Sequence, residues 1–259
     1  MIPMYFFGAR SNRAISLVIS ADQAVSYNVF TASGSPSDPV DVTLTISATI
    51  KVSQMRALGF PLNSRIFLIN NGFIYGGGGS GAGGGGIPAP TSFTAGAIGT
   101  NGTDALQSNC RLIITNASGA IYGGGGGGRG GGCGSSTSNG SANGCGGGGG
   151  GGGQGYPGGF GGTGGNGFSA NGITGQVGIL SGAGVGTGGG MFGGAAGASG
   201  GDGGAWAQAG NASGVSPASP FAPAGANGGT NSNGGRAIFS NGAGVFWISG
   251  AANVAGSVS

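Results

Sequence analysis

Gly146, Gly149, Gly152, Gly155, Gly158, Gly161, Gly164 and Gly167 recur at every third residue without a break, in a chain with 72 glycines among 259 residues. Three residues per turn is the period of the extended left-handed helix that polyproline and collagen adopt. Glycine at a fixed phase strips one edge of such a helix of side chains, so neighbouring helices can pair backbone N–H with C=O. Collagen would also need abundant proline, and the chain has only 10 prolines, most of them outside the glycine runs. The series predicts polyglycine helices folded back on one another within a single chain.

A flexible linker is the other reading of such a composition. Two features oppose it. The glycine-rich region runs from about residue 76 to 235, and it carries large apolar residues such as Tyr156, Phe160, Met191 and Phe192 that disordered segments lack. Ordering so much glycine is entropically costly, so dense hydrogen bonding between helices has to offset it.

Charged residues make up 5% of the chain, there is no His, and the net charge is +3. So few basic residues exclude a nucleic-acid footprint. Catalysis fails on inventory. Of Asp22, Asp38, Asp41, Asp104 and Asp202, only Asp38 and Asp41 lie close together, and a Ser or Cys nucleophile would lack its usual base. The expectation is a non-enzyme without cofactor or metal site. Cys133 and Cys145 bracket a small-residue loop, and a disulfide and two free thiols are both open. The start of the chain shows no signal-peptide pattern, and no run of about 18 apolar residues could span a membrane. A protein made for the outside but not secreted by the usual route fits a virion component released by lysis.

Residues 1–75 have ordinary composition and read as β. Val42, Leu44 and Ile46 alternate with Thr43, Thr45 and Ser47, the period of a half-buried strand. Ile15 to Ile19 is a second strand candidate, and residues 33–39, with two prolines, form a loop. An internal repeat follows. Arg65–Tyr75 and Arg111–Tyr122 each run β-branched, turn, then apolar into glycine, and a weaker copy spans Arg236–Ile248. The three copies are expected to share one β layer. Passes of ten residues, about 31 Å each, then alternate away from that layer and back. Counting them sends 87–94, 133–145, 168–180 and 206–224 to the far end, with Tyr156-Pro157 and Met191-Phe192 as near-end turns.

The fold expectation is thus mostly β and irregular with little or no α-helix. A β-rich attachment domain spans 1–75, a bundle of polyglycine type II helices spans 76–235, and a returning β segment spans 236–259. Phe93, Phe168, Ile173, Ile179, Leu180, Trp206 and Phe221 are the large apolar residues assigned to the far end, where they form a candidate recognition patch. The alternative for each is packing against the helix ends.

Leu112-Ile113-Ile114-Thr115-Asn116-Ala117-Ser118-Gly119-Ala120-Ile121-Tyr122, followed by Gly123–Gly128, resembles the receptor-binding adhesins at the tips of T-even-type bacteriophage long tail fibres. The resemblance extends over the glycine-rich pattern from about residue 63 to 250. It implies a sandwich of polyglycine helices whose distal loops bind a host outer-membrane protein, and an N-terminal domain, here residues 1–75, docked on a tail-fibre or tail-tip protein. Residues 1–60 do not obviously match the T-even attachment domain. A fibre-assembly chaperone and a glycine-rich ice-binding protein are the alternative functions.

Overall fold

A computed structural model describes residues 12–86, 94–138, 141–167, 170–192, 195–212 and 232–259. Its first feature is a stack of parallel β rungs. Rung one holds β1 (Arg13–Ile19) and β2 (Tyr27–Asn28), followed by a single helical turn α1 (Val29–Ala32) capped by Asn28. Rung two is β3 (Val40–Ile46), β4 (Lys51–Ser53) and β5 (Met55–Ala57). Rung three is β6 (Arg65–Asn70) and β7 (Phe73–Tyr75), a glycine-rich excursion, then β8 (Leu106–Ser108). Rung four is β9 (Arg111–Thr115) and β10 (Ala120–Tyr122), a second and longer excursion, then β15 (Ile238–Phe239). Rung five is β16 (Val245–Ser249) and β17 (Val254–Ala255). Within the longer excursion lie two hairpins, β11 (Gly134–Ser138) with β12 (Ser141–Cys145) and β13 (Met191–Phe192) with β14 (Ala195–Ala196).

Like strands of successive rungs pair in parallel, giving sheets ordered β1-β3-β6-β9-β16, β4-β7-β10-β17 and β2-β5-β8-β15. This is a three-sided β-helix. The alternation read at Val42, Leu44 and Ile46 is the inward face of β3. The registers stack Leu17, Leu44, Leu68, Ile114 and Trp247 in one inward column and Val52, Ile74, Ile121 and Val254 in another. These columns build the hydrophobic core, each buried aliphatic side chain contributing about 1.5–3 kcal/mol. At one corner Asn70, wholly buried, donates to Asn116 Oδ1 at 2.6 Å, and Asn116 donates to Gly250 O at 3.1 Å. The Asn of the repeat is thus a corner ladder that satisfies turn backbone.

The repeat reading needs one correction. Arg65↔Arg111 pair in adjacent strands of one sheet, as expected. The third copy splits. Ile238 pairs with Leu106 in a different sheet, and it is Val245 that pairs with Leu112. The returning chain re-enters on the third face of the β-helix, so Arg236 lies beside Asp104 and not in the column of Arg65 and Arg111.

Both excursions leave from the same corner, directly after β7 and β10, and the sheet pairing carries on into them. The N–H groups of Gly76, Gly79, Ala82 and Gly85 donate to the carbonyls of Tyr122, Gly125, Gly128 and Gly131. That bond every third residue is the signature of packed three-residue helices. Residues 123–133 and 145–155 are buried throughout. Within 145–155, Gly147, Gly150 and Gly153 donate to the pass 76–86, Gly148 and Gly151 to 197–205, and Gly146, Gly149 and Gly152 to 170–179. The passes 123–133, 158–167 and 183–190 donate back to it. From Gly146 to Gly153 a Cβ at every position would run into a neighbouring backbone carbonyl, which is why glycine is unbroken there.

Outer passes relax this demand phase by phase. In 158–167, added methyls at Gly158, Gly161 and Gly164 would meet the carbonyls of Gly178, Gly175 and Gly172, and at Gly159, Gly162 and Gly165 those of Gly79, Ala82 and Gly85. The third phase, Phe160, Thr163 and Asn166, faces solvent. In 171–179 only Gly172, Gly175 and Gly178 are confined in this way.

Candidate functional site

At the bundle end away from the β-helix, β14 packs against both strands of the β11–β12 hairpin, and β13 against β12. Gly190 N–H donates to Gly146 O, seating this second hairpin beside the first. Met191 stands 78% exposed there. Residues 134–145 and 191–196 carry no charge. Cys133 and Cys145 are buried and unlinked. The hairpin register sets Cys145 opposite Gly134, not Cys133. The Cys133 thiol instead donates to Thr94 O at 3.3 Å, and burial pushes its pKa up.

The passes do not follow the simple alternation expected from ten-residue spacing. The chain does not make one loop of 168–180. It comes back along 171–179, where Gly172, Gly175 and Gly178 donate to Gly165, Gly162 and Gly159, and turns again at the near end. Ile179 and Leu180 lie in that turn, with the Gln154 amide donating to Leu180 O at 2.9 Å. Met191 therefore moves to the far end and Trp206 to the near end. The Trp206 ring stacks on Tyr75 with centroids 4.9 Å apart and also meets Tyr122. Tyr156 joins the same cluster through Tyr75. These aromatic turns fasten the bundle to the β-helix. Burial, with Tyr122 nearby, pushes the Tyr75 phenol up to about 12.

The departure from that alternation has a physical reason. Large residues in 171–179 occupy outward phases, where they do not interrupt a pass, so Ile173 and Val177 mark no loop. Ile173 sits within the pass, exposed, its carbonyl accepting from Gly149. Phe93, Phe168 and Phe221 lie outside the described residues. The signal that could have located the turns was the glycine phase itself, which persists through Gly172, Gly175 and Gly178.

The acidic residues are largely committed to structure. Asp41 pairs with Arg65, Asp104 with Arg236 at 3.1 Å, and Asp22 with Lys51 at 3.9 Å. The hydrogen bond from Arg65 holds the Asp41 carboxyl below its usual range.

A β-helix that carries a rigid glycine bundle and presents paired uncharged hairpins at its free end defines a display protein, one that holds a surface away from its mount. The sequence matches the phage tail fibre adhesin Gp38 family over residues 14–259, and the chain belongs to that family. It is a tail-fibre adhesin, a virion component that binds a host receptor during adsorption. The fold is similar to that in the crystal structure of the gp37-gp38 adhesin tip complex of the bacteriophage S16 long tail fibre. That likeness has a TM-score of 0.51 and 23% identity, and covers 98% of this chain and 85% of the other. No curated protein matches the sequence.

Proposed function

We propose that the far end, built from the β11–β12 and β13–β14 hairpins, is the surface that meets a host outer-membrane protein. The observation that carries this is the placement of both hairpins, with exposed Met191, at the end opposite the β-helix. Phe93, Phe168 and Phe221 stay in the proposal as further anchors. Trp206, Ile179 and Leu180 leave it, because they belong to the near end. Committing Asp22, Asp41 and Asp104 to ion pairs supports a role without catalysis.

Attachment to a tail-fibre protein is assigned to residues 1–75, and within them to rung one. There β1 ends its sheet among the described residues, Ile15 and Leu17 are only partly covered, and Val18 and Val25 are exposed. Such an apolar edge suits a mount. The similar structure is itself a gp37-gp38 complex. The test is a pull-down of host outer-membrane proteins with the isolated chain. Met191→Asp is expected to weaken capture about 30-fold, as loss of a 2 kcal/mol anchor would. Unchanged capture would move the site elsewhere. Val18→Asp with Val25→Asp should leave capture intact but keep the protein off particles.

A further inference from the structure

Among the described residues, one edge of the bundle is uncharged and exposes several large apolar side chains. Passes 158–167, 171–179 and 183–190 contain no charged residue, and their outward phases carry Phe160, Ile173, Val177 and Val185, each at least half exposed. The antiparallel ladder, with Gly178 donating to Gly159 and Gly175 to Gly162, sets Phe160 level with Val177. The ladder of Gln176 on Val185 joins the third pass to them. Outward positions repeat about every 9 Å along a three-residue helix. Thr163, Asn166, Thr174 and Gln176 are exposed between these apolar residues, so the edge is uncharged and mixed. On the opposite edge Thr100, Asn101, Gln208 and Asn211 face out, and Ile98 is the one large aliphatic exposed there among the described residues.

We infer that this edge is a second contact surface for the same host receptor protein, which lies against the side of the bundle as well as across its tip. The inference rests on the far-end reading above. Size argues for that occupant. Three passes about 31 Å long and about 5 Å apart present roughly 300 Å², well short of the roughly 800 Å² per partner of a stable interface. The strip is thus too small to hold a second copy of this chain by itself. Ile173 N–H donates to Gly188 O, three residues before exposed Met191, so the strip runs on toward the hairpin end, and strip and tip together offer more area than either alone. A lipid surface fits poorly, because an interfacial element carries Lys or Arg beside its apolar face and this edge has none.

The test uses the full chain and outer-membrane vesicles from a strain the parent phage infects. Phe160→Ser, Ile173→Ser and Val177→Ser combined should weaken vesicle binding at least tenfold with an unchanged melting temperature. If the combined variant loses its fold, a Val177→Cys chain coupled to a bulky maleimide after folding replaces it, since Cys110, Cys133 and Cys145 are buried. Wild-type binding by the edge variant, while Met191→Asp loses binding, overturns the edge and leaves the far-end reading standing. Wild-type binding by both variants overturns both. Equal binding to vesicles stripped of protein by protease would make the partner a lipid or glycolipid, and also overturns the inference.

Discussion

Replacing Gly150 by Ala tests the bundle inside its central pass. An added Cβ would lie 2.2 Å from Gly128 O, 2.6 Å from Gly128 C and 2.8 Å from Arg129 C, all of them backbone. To reach ordinary contact the pass 123–133 must retreat by about 1 Å. That retreat strains the bond from Gly128 N–H to Gly151 O and disturbs those joining Gly150 to Ala82 and Gly162. Losing one or two such bonds costs about 1 kcal/mol each, and overpacking adds about 1–3 kcal/mol. Restricting the unfolded chain returns about 0.4–1 kcal/mol. The net is about 3 kcal/mol, a fall of roughly 6–12 °C in melting temperature for a chain of this size. Gly188→Ala is the control, because a Cβ there has nothing within 4 Å and φ is not left-handed. That variant should gain about 0.4–1 kcal/mol. The assay is thermal unfolding of both variants beside the parent chain. Equal melting of the two would refute the packed bundle, because in a loose glycine coil every Gly→Ala change acts through the unfolded state alone.

Trp206→Ala should destabilise by about 3 kcal/mol, as truncation of a packed aromatic does, with receptor capture by the remaining folded protein unchanged. Asn116→Ala removes both the acceptor for Asn70 and the donor to Gly250. It should cost about 2–4 kcal/mol in urea unfolding, since buried polar groups lose their partners. The Tyr75 phenol ionises in the folded protein near about 12 against about 10 when unfolded. The linked stability is therefore complete below pH 10 and is lost as pH rises toward 12, and Tyr75→Phe should remove that part of the alkaline decline. Burial raises the Cys110 and Cys133 thiols, so a thiol reagent at neutral pH should label neither until denaturant is added.

Much of the fold was legible because it rests on local rules. The alternation Val42–Ile46 declares a strand, and the matching runs from Arg65 and Arg111 declare equivalent rungs. The glycine phase, moreover, records how crowded each pass is: all three phases at Gly146–Gly153, two in 158–167, one in 171–179. Glycine appears wherever a neighbouring carbonyl occupies the place of a Cβ.

What the chain could not declare by itself was the path between passes. The same outward residue types, Ile173 in a pass and Ile179 in a turn, serve in both settings, and a short turn needs no marker in a sequence already rich in glycine. The split of the third repeat, the near-end position of Trp206 and the far-end position of Met191 each depend on contacts between residues distant in sequence, such as Trp206 on Tyr75 and Ile238 beside Leu106. Periodicity is set by the few residues that share a turn, and so the sequence carries it. Which end a loop occupies is set by the number of passes before it, a sum over the whole chain that only the folded hydrogen-bond ladder decides.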